Sequence, residues 1–178
     1  NTNIGKSPLF PKYETFADFL SNTIIGKRKH TISEFFYRTQ HIQQLGGYQI
    51  YPAGYYADDA SILLFCNNNG IASTEESLIV YRKSENNISS SSCWNVEKSK
   101  AALKYYQWII DEFPMKQQDE QIIQQRLDFD LYTYFSAALN IHQSIQILNC
   151  IPVNIWNWKK KLLCLYKFIL NSYAKQIK

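Results

Sequence analysis

Apolar positions recur at helical spacing through most of this chain, and a shorter first part mixes that rhythm with β-branched runs. In residues 13–24, YETFADFLSNTI, the side chains Phe16, Phe19, Leu20 and Ile24 share one side of a predicted helix. TISEFFYR (31–38) is short, β-branched and aromatic, so it is expected to be a strand. TQHIQQLGG (39–47) predicts about two helical turns ended by Gly46 or Gly47, either of which can take the left-handed conformation. After the loop 48–57, DDASILLFCNN (58–68) suits a short helix with a packed apolar side. NNNG (67–70) is a turn cluster, and IAST (71–74) and SLIVYRK (77–83) follow as expected strands. SENNISSSSC (84–93) is polar and rich in hydroxyls and amides.

Beyond Trp94 only the helical period remains. Residues 95–113 predict a long amphipathic helix with Leu103, Tyr106, Ile109, Ile110 and Phe113 on one side, broken by Pro114. Further helices are expected over 116–139 and 141–150, and Pro152 opens the last, 154–177. No internal repeat emerges. The expected fold is therefore α+β: a mixed segment over 1–92 and a helical subdomain over 93–178.

Composition narrows the function classes. With 46% apolar and 19% charged residues in 178, the chain can bury a core and is not of the disordered type. A net charge of +4 is too mild to indicate a nucleic-acid partner. No uncharged apolar run reaches the 18 or so residues that a membrane span needs. The opening NTNIGKSPLFPKYE lacks the charged-then-apolar order of a secretory signal and reads like a chain cut mid-protein. Cys66, Cys93, Cys150 and Cys164, like His30, His41 and His142, are scattered without metal-ligand spacing, so reduced thiols in a cytoplasmic protein are expected.

The chemistry concentrates at GGYQIYPAGYYADDASILLF (46–65). Aspartate is a favoured helix N-cap, which accounts for one of Asp58 and Asp59 but not for both. A carboxylate fixed at a helix start below an aromatic loop can instead serve as a general base on a hydroxyl. Tyr48, Tyr51, Tyr55 and Tyr56 either offer flat faces and hydroxyls to a sugar or pack in the core.

The stretch SEFFYRTQHIQQLGGYQIYPAGYYADDASILLF, continued by GIASTEESLIVYRKSENNISSS, resembles the acceptor-side half of family 2 glycosyltransferases. In that family a glycine pair leads to an (E/D)D motif heading a helix, then to a strand pair and a loop. The likeness covers roughly residues 14–92, about half the chain. It implies the C-terminal part of a nucleotide-diphospho-sugar transferase (GT-A) fold and an inverting transfer to a hydroxyl acceptor. Carried onto this chain, it makes Asp59 the base, with Asp58 positioning or capping beside it. Tyr55 and Tyr56 are the candidate substrate contacts of the aromatic loop, and Arg82 and Lys83, at a strand end before the loop that in this family approaches the diphosphate, either meet phosphate oxygens or are solvated.

The family's nucleotide-binding half, with its metal-holding D-x-D, has no counterpart before residue 14. The one literal D-x-D, DFD at 128–130, falls in a helical stretch after the base motif, where residues two apart face different ways. A fragment is therefore expected: no metal or other cofactor bound here, and Mn²⁺ or Mg²⁺ in a full-length enzyme using a nucleotide-sugar donor and a saccharide or lipid-linked acceptor, by analogy in bacterial surface-polysaccharide synthesis. The tail 154–178 carries six lysines and no acidic residue, with Leu162, Leu165, Phe168 and Ile169 on one face. That face either packs on the helices 95–150 or makes a peripheral membrane contact. The rival to the enzyme is a non-catalytic protein- or membrane-interaction module.

Overall fold

A computed structural model describes residues 10–28, 32–67, 69–74 and 91–176. These fall into two compact units, one drawn from residues up to 48 and from 59 to the end of the first half, the other from 49–58 and the second half. Helix dominates. Among the described residues the strands are β1 (Tyr13–Glu14) and β2 (Ile71–Ala72), so the fold is α+β in the coarse sense only.

In the first unit β1 pairs antiparallel with β2, Tyr13 opposite Ala72 and Glu14 opposite Ile71. Helix α1 (Phe16–Ile24) starts where the sequence allows a cap: the Thr15 Oγ1 accepts from the Asp18 amide at 3.2 Å and donates to its carboxylate at 2.7 Å. It buries Phe19, Leu20 and Ile24. Glu14 and Arg28 are both buried, 3.0 Å apart. At that distance the two buried charges form an ion pair, each offsetting the other's desolvation. Asn22 donates to the other Glu14 oxygen at 3.2 Å. Burial lowers the Arg28 pKa, and Glu14 and then Glu34 oppose that shift.

The predicted strand at 31–38 is not one. Ile32–Glu34 make a single 3₁₀ turn and 35–38 are irregular; residue 31 lies outside the described residues. Aromatic packing overrides β propensity here. Phe35 meets Phe19 edge-on and stacks on Tyr37, which meets Phe65 edge-on, so the rings pack on helices rather than along a sheet. Helix α2 (Thr39–Gln44) ends as its glycines predict. Gly46 and Gly47 have φ of 82° and 88°, and their amides reach back to the Gln43 and Ile42 carbonyls, the paired bonds of a Schellman motif. His41 Nε2 lies 2.8 Å from the Phe65 carbonyl; a carbonyl only accepts, so that nitrogen carries the proton.

Helix α3 (Ala57–Cys66) buries Ala60, Ser61, Ile62, Leu63, Phe65 and Cys66, nearly all round its second half. Burial pushes the Cys66 thiol up to about 12. Of the strands expected after it, 71–74 shortens to Ile71–Ala72, and 77–83 lies outside the described residues.

The second unit is built on α4 (Asn95–Glu112), which packs against α5 (Gln117–Ser136) and α6 (Ile141–Cys150); α6 carries α7 (Trp158–Gln176). Its buried face runs through Ala101, Ala102, Tyr105, Tyr106, Ile109 and Phe113. Leu103 and Ile110, expected on that face, are only half-buried. The small Ser99, Ala101 and Ala102 are fully buried beside Tyr105, Tyr106 and Ile109. Asn140 caps α6 by accepting from the Gln143 amide at 2.9 Å. The last helix begins later than Pro152 implies. Residues 152–156 form a turn, and Asn157 Oδ1 accepts from the Lys160 amide at 2.9 Å to start α7 at Trp158. Trp156 is fully buried, edge-on to Phe135.

Candidate functional site

Asp58 and Asp59 lie inside the first turn of α3 and not at its cap. Tyr56, immediately before the helix, has φ of 65°, so the cap position belongs to a tyrosine in left-handed conformation. This corrects the expectation of an aspartate cap. Both carboxylates remain at the positive end of the helix, where a negative charge is favoured. Both are half-buried, and neither is without partners. The buried second half of α3 fixes them.

The loop before them is strained twice, with Ala53 at φ 53° and Tyr56 at φ 65°. For a side-chain-bearing residue such a φ costs about 1–2 kcal/mol. A tyrosine network in the second unit offsets it. Tyr56 Oη donates to Asp130 Oδ2 at 2.9 Å, and Tyr106 Oη donates to the same oxygen at 2.6 Å. Tyr56 has one proton, so the 2.9 Å contact with Tyr134 Oη is Tyr134 donating to Tyr56. Arg126 stands 3.6 Å from the other Asp130 oxygen. The Tyr56 ring stacks on Tyr105, with centroids 4.7 Å apart.

Burial raises the pKa of Tyr56, Tyr106 and Tyr134 well above the ordinary tyrosine value, and the Asp130 charge adds to the shift. Burial alone pushes Tyr51 up to about 12. Of the two readings of the loop tyrosines, packing describes Tyr51 and Tyr56. Tyr55 is half-buried, edge-on to Tyr56 and Tyr134, with Lys98 Nζ 5.2 Å from its ring centre. Tyr48 is exposed and touches Phe65 by its edge.

Chain continuity keeps Tyr55, Tyr56, Asp58 and Asp59 together. Arg82 and Lys83 lie outside the described residues, as does most of the loop 84–92. The DFD aspartates point to different partners. Asp130 serves the tyrosines, while Asp128 accepts from the Trp156 indole and Lys160. A divalent cation does not fit that pair. Among the described residues no group of three His, Cys, Asp or Glu side chains is placed to hold a metal.

Asp130 and its partners are what sequence reasoning missed. Arg126, Asp130 and Tyr134 are spaced i, i+4, i+8 on α5, a polar stripe on an otherwise core-facing side that was legible in principle. In the second unit a cavity of about 360 Å³ is lined by Cys93, Glu97, Lys100, His142 and Gln143 among others, and contains none of the predicted site residues. No family model, curated protein or solved structure matches this chain.

Proposed function

We infer that residues 1–92 carry the acceptor side of an inverting glycosyltransferase of the family 2, GT-A type, with Asp59 as general base. The observation that supports this most is local. The glycine pair closes α2 in a Schellman turn, and a doubly left-handed loop then delivers two carboxylates into the first turn of an anchored helix. Strained backbone of this kind concentrates where function requires it.

In this reading the Asp59 carboxylate takes the proton of an acceptor hydroxyl as that oxygen bonds to the anomeric carbon of a nucleotide-sugar donor. The bond from that carbon to the diphosphate breaks on the opposite face, the nucleoside diphosphate leaves with the electron pair, and configuration inverts. Asp58 orients its neighbour, and Tyr55 offers a ring to the sugar. Mn²⁺ or Mg²⁺, where such an enzyme uses one, would neutralise the leaving diphosphate; among the described residues no group of three His, Cys, Asp or Glu side chains is placed to hold it. By the same analogy the acceptor is a growing bacterial surface polysaccharide or its lipid-linked precursor, handled on the cytoplasmic side.

The test is transfer by the product of the complete reading frame, comparing the native protein with Asp59→Asn. Loss of turnover with donor binding retained supports the reading, and unchanged turnover overturns it. A second reading, a non-catalytic interaction module, is favoured by one observation: the outward side of α7 is apolar.

A further inference from the structure

We propose that the outward face of α7 is a docking surface for an anionic lipid bilayer. This inference stands apart from the glycosyltransferase reading, since it uses neither Asp58 nor Asp59.

Helix α7 packs through one narrow side. Cys164 is buried, and Phe168 meets Phe135 with centroids 5.9 Å apart. Two of its lysines are used as fasteners. Lys160 pairs with Asp128, and Lys161 donates to the Leu148 carbonyl at 2.7 Å and to the Ile151 carbonyl, at the negative end of α6. The apolar face expected to pack does not do so as a whole: Leu162 is 56% exposed and Ile169 37%.

With Trp158, Tyr166 and Leu170 these residues recur at four- and three-residue spacing along the outward side. Trp158 and Tyr166 are 61% and 60% exposed. Lys159 and Lys167 are exposed beside the stripe. Leucines flanked by tryptophan, tyrosine and lysine are what an interfacial helix presents to headgroups and upper acyl chains.

Charge selects the occupant. Residues 154–178 contain six lysines and no acidic side chain; Lys160 and Lys161 are engaged in packing, and Lys159 and Lys167 are exposed. A second copy seated on this face would set the exposed Lys159 and Lys167 of one copy against the same lysines of the other, because a two-fold interface repeats the same surface. A negatively charged bilayer supplies the missing charge and takes up the apolar stripe together. Among the described residues no helix is long and apolar enough to cross a membrane, so contact would be lateral, with α7 in the plane of the interface.

The test is co-sedimentation of the 178-residue chain with phosphatidylcholine vesicles, with and without phosphatidylserine. Binding is expected only to the anionic vesicles, and to fall as salt is raised. The double change Leu162→Gln with Tyr166→Gln should weaken it about tenfold or more. Lys159→Gln with Lys167→Gln should weaken it several-fold and leave the urea midpoint unmoved. In the unmodified chain, brominated acyl chains should quench tryptophan emission, and Trp158→Phe should remove most of that quenching. No binding to anionic vesicles overturns the proposal. So does binding indifferent to the Leu162 and Tyr166 changes, or a dimer in solution that those changes dissociate.

Discussion

Tyr56 and Asp130 stand 74 positions apart in the chain, yet the tyrosine hydroxyl donates to the carboxylate at 2.9 Å. That bond closes a polar cluster in a mostly apolar interior, where an unmatched donor or acceptor is costly. Tyr106→Phe removes one donor from Asp130 and should cost about 2 kcal/mol, as for a hydrogen bond to a charged group. Tyr56→Phe should cost about 3 kcal/mol, because it also removes the acceptor of Tyr134. Asp130→Ala, which strands both donors, should be the most damaging. Urea unfolding of the three against Tyr132→Phe, an exposed control, decides it. Three variants within about 0.5 kcal/mol of that control would mean the cluster carries no stability.

The same tyrosines make the fold sensitive to alkali. In the unfolded chain they ionise near pH 10, whereas burial holds their folded pKa values higher, Tyr51 at about 12. Above pH 10 the folded state therefore binds more protons than the unfolded one, and stability falls as pH rises toward the folded values. Each such group contributes a slope of about 1.4 kcal/mol per pH unit within its window. Tyr51→Phe should flatten the decline between pH 10 and about 12 by one group's worth. A pH profile of unfolding free energy that is level across this range would contradict the burial of these hydroxyls.

Gly70 governs the small sheet. Its φ is 66°, and a Cβ there would stand 2.3 Å from the Glu14 carbonyl oxygen, which is backbone and cannot swing aside. Gly70→Ala should therefore cost about 3 kcal/mol or more, from left-handed strain plus separation of β1 and β2. Denaturant unfolding measures it. A loss below about 0.5 kcal/mol would show that the strands need not approach as described.

The helices were legible because their signals are local. The glycine pair after α2 and Pro114 after α4 act through their nearest neighbours, and those ends, like the bounds of α6, fall close to where the spacing puts them. Residues 32–38 were misread because ring packing among Phe19, Phe35, Tyr37 and Phe65 depends on tertiary placement. The α4 face was legible in part: Tyr106, Ile109 and Phe113 are buried as expected, whereas Leu103 and Ile110 are half-buried and the small Ala101 and Ala102, which carry little apolar volume, are buried instead. Asp130 was dismissed with its neighbour as a false metal motif. The two-residue spacing rules out a chelate but carries no information on the partner each carboxylate takes singly, and for Asp130 that partner, Tyr56, is far away in sequence.

The mechanism proposed above gives the adjacent carboxylates of Asp58 and Asp59 different roles. Both sit in the first turn of α3, where the helix dipole favours either charge by about 0.5 kcal/mol. Stability alone cannot separate them. Proton transfer can, because a general base contributes roughly 10²–10⁴-fold and only the residue within reach of the acceptor hydroxyl does so. In the product of the complete reading frame, Asp59→Asn should depress kcat by about that factor while donor affinity stays near the native value. Asp58→Asn should cost about tenfold or less, through orientation. Equal losses from both changes would make the pair a positioning element, and a larger loss from Asp58→Asn would move the base to its neighbour.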